Sequence, residues 1–324
     1  MKQTLAITDG VHIGKDGHLF LASGGHAVFE YAFGERKVTK ASLGHFSDNI
    51  CARRKLANTF AIPYRHIIVP DKQSVLSDLV DGADVTIRLG EEYRTDALAG
   101  DVLYPLETLR ALGANAFMRT DTHLTSRASV ALARMIYHEL TGETVGEEDD
   151  GLEAALTVRK SWVGDLGSKL TPPREADELF LHRTWGRIYS NNLTANDGLI
   201  DLHLNPGALR QAKLVIFGDS FARGIGQPLS RLFSEVLFLR SRFVHPEMVW
   251  LAQPDYLLSQ NVERYLANVT PDTEAPPFFL YPNLPKAKSE KGSREELAEQ
   301  LARMLRGPRD REMGELACVT RPGS

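Results

Sequence analysis

The sequence predicts an α/β fold with a mostly parallel sheet covered on both faces. Short apolar runs of β type recur along the chain and alternate with stretches of helical period. One of these runs, Lys213-Leu214-Val215-Ile216-Phe217, ends in Gly218-Asp219-Ser220 and leads into an amphipathic stretch. That is the strand–turn–helix form in which a serine hydroxyl is exposed. The chain has 324 residues, 43% hydrophobic and 25% charged, enough for one large α/β domain or two smaller ones.

In chain order, Val11 to Gly17 reads as a glycine-containing turn, and His18 to Leu21 as a short strand after it. Ile67-Ile68-Val69 is a buried strand stopped by Pro70, and Val85 to Leu89 is another strand. Val102 to Leu112 reads as a helix interrupted by Pro105. Ala116 to Arg119 reads as a short strand that delivers Thr120-Asp121-Thr122-His123 at its end. A helix follows from about Ser126 to Leu140, with Leu132, Met135, Ile136 and Leu140 on one face and Gly142 as its stop. Glu147 to Gly151 is a solvated acidic loop. Residues 144–212 read as loops with short strands, a lid or an edge elaboration.

Beyond Ser220, residues Leu229, Leu232, Phe233, Val236 and Leu237 are expected on one helix face. Val249 to Ala252 and Tyr256 to Leu258 suggest a strand broken by Pro254. Gln260 to Ala267 reads as helical, and Phe278 to Leu280 as a last strand. Composition shifts to Lys, Glu and Arg from Pro282. Ser293 with Glu296 forms a capping box ahead of a helix striped by Leu297, Leu301, Met304 and Leu305. The expected organisation is one domain over residues 1–285 and a charged helix and tail over 286–324.

Net charge is −4, so no global basic field points to nucleic acid. The local clusters Arg53-Arg54-Lys55 and Arg303 to Arg311 are read as solvated surface charge. Cys51 and Cys318 have no CxxC partner or His-rich surroundings, which argues against zinc. No cofactor is expected. The first ten residues lack the apolar stretch of a signal peptide, which makes the expected location cytoplasmic.

A serine hydroxyl needs an adjacent base, and histidine suits that work because it titrates near neutrality. A carboxylate must then hold the imidazole in the right tautomer. Asp121 and His123 lie two residues apart on a loop after a strand, so Ser220, His123 and Asp121 are the candidate triad. Asp121 could instead cap the following helix, although Thr125 is better placed. A metal set of Asp121 and His123 with Asp165 or Asp219 lacks a metal-binding spacing, and no phosphate-loop sequence is present.

Taken together, the motifs resemble the SGNH-hydrolase-like domain of the alginate O-acetyltransferase proteins of bacterial exopolysaccharide machinery. The likeness runs in order over about residues 9 to 270. It rests on Gly14-Lys15-Asp16-Gly17-His18-Leu19-Phe20, Val69-Pro70-Asp71-Lys72, Thr120-Asp121-Thr122-His123-Leu124-Thr125, Gly164-Asp165-Leu166, Phe217-Gly218-Asp219-Ser220-Phe221 and Val262-Glu263-Arg264-Tyr265-Leu266. The resemblance implies a three-layer α/β/α sandwich of SGNH/GDSL type with the Asp-His element ahead of the serine. It implies acyl transfer through an acetyl-Ser220 intermediate, onto a carbohydrate hydroxyl or onto water, as an O-acetyltransferase or acetylesterase. Lys72 and Arg264 would then hold substrate or brace the site, with a structural Glu263–Arg264 ion pair as the other reading of that segment. Oxyanion donors would be the Ser220 N–H with Gly224 or one of Asn191, Asn192 and Asn196. His18 and Leu124 stand where the family has tryptophans, positions that serve packing or sugar stacking. A non-catalytic glycan-binding or scaffolding subunit of the same fold is the alternative. By the resemblance, the partners would be a carbohydrate, an unidentified acetyl donor and a membrane-bound acetyltransferase. The location would then be periplasmic if the true start lies upstream.

Overall fold

The computed structural model describes residues 5–146, 151–182, 185–193 and 195–283. The chain divides into two compact units. One comprises residues 1–51, 65–183 and 261–271, and the other 52–64, 184–260 and 272–324.

The first unit opens with a small antiparallel sheet of β1 (Ile7–Thr8), β2 (Val11–Ile13) and β3 (Leu19–Leu21). Then come α1 (Val28–Ala32), the long α2 (Lys40–Thr59), whose last turns belong to the second unit, and β4 (Tyr64–Val69). After α3 (Lys72–Val75) and α4 (Leu89–Tyr93), β5 (Val102–Leu103) pairs in parallel with β4. Helices α5 (Leu106–Arg110) and α6 (Ser126–Thr141) follow, then a hairpin of β6 (Leu156–Trp162) and β7 (Ala176–Leu181). The expected caps of α6 are in place. Thr125 Oγ1 accepts the Ala128 N–H at 3.1 Å, and Gly142 closes the helix with φ +75°.

The second unit holds β8 (Arg187–Ser190), β9 (Ile200–Leu204), β10 (Arg210–Gly218), α7 (Ser220–Leu232), β11 (Phe233–Arg240), α8 (Pro246–Ala252) and β12 (Tyr256–Val262). β10 lies parallel to both β11 and β12, and β9 and β8 add an antiparallel edge. The large sheet has the order β5-β4-β12-β10-β11-β9-β8. Its central strands read as unbroken apolar runs because both faces are covered. Leu214 to Phe217 and Val236 to Leu239 are all buried. No described helix is long and apolar enough to cross a membrane.

Several elements depart from expectation. Phe233, Val236 and Leu237 lie in β11 and not on a helix, since α7 ends at Leu232 and the strand begins at the next residue with no turn to mark the change. Val249 to Ala252 is helical because Pro246 starts α8 at its first turn. Val85 to Arg88 forms no strand, and Leu89 opens α4. The stretch from Val102 to Leu112 splits at Pro105 into β5 and α5. Ala116 to Arg119 makes one bridge, Phe117 to Leu124, within a tight turn. β12 continues to Val262 before a 3-10 turn at Glu263–Asn268, and Phe278–Asn283 is a 3-10 turn and not a strand. Glu147 to Asp150 and the helix expected around Ser293 to Leu305 lie outside the described residues.

Candidate active site

The bridge between Phe117 and Leu124 pinches residues 118–123 into a loop closed by Met118 N–H donating to His123 O. Inside it, Asp121 is 5% exposed and receives three N–H groups. The His123 main-chain N–H reaches Oδ1 at 2.9 Å, His123 Nδ1 reaches the same oxygen at 2.7 Å, and the Asp165 N–H reaches Oδ2 at 3.0 Å. Burial alone would push the Asp121 carboxyl up. The hydrogen bonds and charge of His123 outweigh that and hold it well below the usual carboxylate range. An ionised Asp121 can only accept a hydrogen bond, so Nδ1 carries the proton and donates it, and Nε2 is the basic nitrogen of the ring.

Asp165 answers in kind, accepting Thr122 N–H at 2.8 Å and Thr122 Oγ1–H at 2.5 Å. The two loops approach so closely that Gly164 admits no side chain. A Cβ there would lie 2.3 Å from Thr120 O and 2.6 Å from Asp121 Cβ. The Gly164-Asp165-Leu166 sequence is thus the partner that fixes Asp121.

Lys72 is a brace. Its ammonium is 3% exposed and donates to the carbonyls of Met118 (2.6 Å), Arg119 (2.9 Å) and Asp121 (3.2 Å), with the Phe20 ring centroid 5.4 Å away. Burial lowers its pKa to about 7, against the pull of Asp121, Glu178 and Asp165. Glu178, which sequence reasoning passed over, reaches from β7 to accept the Arg119 N–H. Arg264 forms an ion pair with Asp71, while Glu263 accepts the Asp71 and Gly90 N–H groups and the Tyr104 hydroxyl. Arg264, Asp71 and Glu263 line a small, partly open pocket with His26, Tyr31 and Ser74. His18 and Leu124 are 2% and 6% exposed, so both positions are packing sites and not sugar platforms. Burial, then the Lys72 charge, lowers the His18 pKa to about 4.

Ser220 begins α7 in the second unit, whereas Asp121 and His123 belong to the first. Asp219 caps the helix by accepting the Phe221 N–H at 2.8 Å, and its own N–H donates to Gln260 Oε1 at 3.0 Å. Asn191, one of the expected oxyanion donors, is spent on its own loop. Its Nδ2 donates to Gly198 O, and its Oδ1 accepts the Leu193 and Ile200 N–H groups. Alongside the turn lies a second serine–histidine–carboxylate set, invisible in the sequence. Ser241 Oγ and His245 Nε2 are 2.9 Å apart, and His245 Nδ1 is 3.5 Å from Glu247. Ser241 and His245 are 1% and 2% exposed, with the rings of Phe217, Phe243, Phe278 and Tyr281 around the imidazole. The serine and imidazole of this set are buried in the core, with Glu247 at its exposed end.

One group of potential metal ligands occurs among the described residues: Asp121, His123 and Asp165, with ligand atoms within 4.8 Å of one another. A cation there would compete with hydrogen bonds already made. The Asp121 and Asp165 oxygens already accept N–H and O–H donors from His123, Asp165 and Thr122. Asp219, the other expected ligand, is a helix cap.

No family model and no curated protein sequence matches the chain. Solved structures do. PatB1 of Bacillus cereus superposes with a TM-score of 0.54 at 12% identity, over 72% of this chain and 93% of that one. A DHHW family protein of Eubacterium siraeum gives 0.53 at 14%, over 83% and 95%. The O-acetyltransferase domain of Pseudomonas putida AlgJ gives 0.50 at 16%, over 84% and 98%. At such identities the likeness is one of fold, and the chain shares with these structures a mixed α/β architecture built on a large mostly parallel sheet.

Proposed function

We propose that the chain is a serine-dependent acyl-transfer enzyme, an O-acetyltransferase or acetylesterase acting on a carbohydrate. Ser220 is the nucleophile, His123 the base and Asp121 the group that orients it, in a three-layer sandwich with the Asp-His element ahead of the serine. The observation that carries this reading is the Asp121–His123 pair, a buried carboxylate 2.7 Å from Nδ1 of a partly exposed imidazole. A structural histidine needs no such arrangement, whereas a general base does. The sharing of fold with a solved O-acetyltransferase domain supports the same class.

In this mechanism Ser220 Oγ attacks the acetyl carbonyl while its proton passes to His123 Nε2. The tetrahedral intermediate collapses, the acetyl–oxygen bond of the donor breaks, and the imidazolium returns the proton to the leaving oxygen. An acceptor hydroxyl, from a sugar or from water, then gives its proton to His123 and attacks the acetyl-serine. Collapse releases the new ester or acetate and restores Ser220. Asp121 stays ionised and stabilises the imidazolium in both halves.

Intact-protein mass spectrometry after exposure to an aryl acetate tests the assignment. The wild type is expected to gain one acetyl group on Ser220, and Ser220→Ala and His123→Ala none. An unchanged adduct in Ser220→Ala would sink the mechanism. Saturable glycan binding without any acetylation would favour the non-catalytic subunit. Activity abolished by a chelator would favour a metal-dependent hydrolase.

A further inference from the structure

We propose that Gln260 is the positioning residue of the nucleophile turn, an inference that rests on the reading of Ser220 as nucleophile. Ser259 of β12 pairs in parallel register with Phe217 of β10, so the next residue, Gln260, falls beside Gly218 and Asp219. Its Oε1 accepts the Asp219 N–H at 3.0 Å, one peptide before Ser220. Gly218 is bare because of this approach. A Cβ there would meet Gln260 Oε1 at 2.7 Å and Ala222 Cβ at 2.5 Å. On the other side, Ser241 N–H donates to Gly218 O at 3.0 Å, a main-chain bond that any residue could make. The Gln260 carboxamide is thus the side chain that fixes the peptide plane leading into the serine.

The amide is retained at a cost. Gln260 is 1% exposed, and its Nε2 has no hydrogen-bond partner among the described residues. The amide cannot turn over to relieve this, because it would then present a donor to the Asp219 N–H. A buried donor left unspent lowers stability. Such local conflicts gather where geometry is held for function. Gln260 therefore acts through Asp219 on the placement of the Ser220 hydroxyl, where a displacement of an ångström is enough to slow chemistry.

The test compares wild type, Gln260→Met and Gln260→Glu for aryl-acetate turnover, for the site of the adduct by peptide mapping, and for thermal stability. Methionine keeps the volume and removes both polar ends; glutamate keeps an acceptor for the Asp219 N–H. Gln260→Met should stay folded with an unchanged KM but lose about a hundredfold in acylation rate, and Gln260→Glu should recover about tenfold of that. If Gln260→Met does not fold, Gln260→Asn takes its place, since the shorter amide withdraws from the Asp219 N–H. A wild type acetylated on Ser220, beside a variant acetylated equally fast, would overturn this inference and leave the function standing. A wild type acetylated elsewhere, or not at all, would overturn both.

Discussion

Replacing Asp121 by asparagine should disable the His123 base without dismantling the loop. Three N–H groups converge on this carboxylate: two from His123 at Oδ1 and one from Asp165 at Oδ2. An asparagine has one carbonyl oxygen to offer. If that oxygen stays on His123, the new NH₂ faces the Asp165 N–H, and one hydrogen bond to a charged group becomes a donor–donor clash. The loss is about 2 kcal/mol, the usual worth of such a bond. If the amide turns the other way, its NH₂ donates to His123 Nδ1 and moves the ring proton to Nε2, the nitrogen the mechanism needs bare. A triad histidine trapped in the wrong tautomer loses roughly ten-thousandfold in rate. Acylation by an aryl acetate should therefore fall by at least about a thousandfold, with denaturation in urea showing a stability loss of about 2 kcal/mol at neutral pH. The sign with pH follows from the depressed carboxyl. Its stabilisation is fully present above the unfolded carboxyl pKa, about 4, and fades as pH falls towards the folded value. The stability gap between wild type and Asp121→Asn should accordingly close in acid. An asparagine variant acylated within about tenfold of wild type, or a gap indifferent to pH, would refute the reasoning.

Lys72→Met should detach the loop carbonyls of Met118, Arg119 and Asp121 and lower kcat by about a hundredfold. Because the folded Lys72 pKa is lowered to about 7, the unfolded chain holds more protons above that pH. Wild-type stability should rise from pH 7 towards the unfolded lysine pKa near 10, a gain absent from the methionine variant and visible by urea denaturation at stepped pH. A loop unaffected in rate by Lys72→Met would show the ammonium to be mere packing. Arg53→Leu should cost about 3–5 kcal/mol by stranding Asp272, while Arg53→Leu with Asp272→Leu should cost much less; equal losses would argue against the pair.

The sheet core, the Asp121–His123 pairing and the strand-to-helix turn at Ser220 were legible in the sequence, and for physical reasons. The second half of β10, Leu214 to Phe217, is an unbroken apolar run because both faces are covered there, and Gly218-Asp219-Ser220 punctuates it. Asp121 and His123 are two residues apart, so their pairing needs only a local turn. What was illegible came from partners distant in sequence. The third donor on Asp121 arrives from Asp165, the Arg119 N–H is met by Glu178, and the turn before Ser220 is held by Gln260. No spacing announces such pairs. The α7–β11 boundary was hidden for a different reason: an apolar run reads the same in either period when no glycine or proline separates helix from strand.

Helix α2 shows most clearly how a buried face can escape a hydrophobicity pattern. Its inward positions Ser42, Phe46, Asn49, Ile50, Arg53 and Ala57 follow helical spacing, but half of them are polar. The polar half is spent on the segment after β12. In the first unit, Ser42 Oγ donates to Leu266 O and accepts the Val269 N–H, His45 Nδ1 meets Val269 O at 3.0 Å, and Asn49 Nδ2 donates to Thr270 O. In the second unit, Arg53 reaches Asp272 with two bonds of 2.7 Å, and also donates to Ser259 Oγ and Arg242 O. Arg53 therefore departs from the surface reading of Arg53-Arg54-Lys55. It is 4% exposed, and although burial opposes its charge, Asp272 raises its pKa further. An irregular segment carries main-chain groups that no strand or helix satisfies, and something must satisfy them when they are buried. A helix that does so must turn polar side chains inward, and its apolar stripe thins in proportion. The same requirement explains Lys72, whose three acceptors are all main-chain carbonyls of the tight loop that carries Asp121 and His123. In this chain a buried basic side chain marks a segment that has to keep its shape, and of the two so marked only the one held by Arg53 went unnoticed in the sequence.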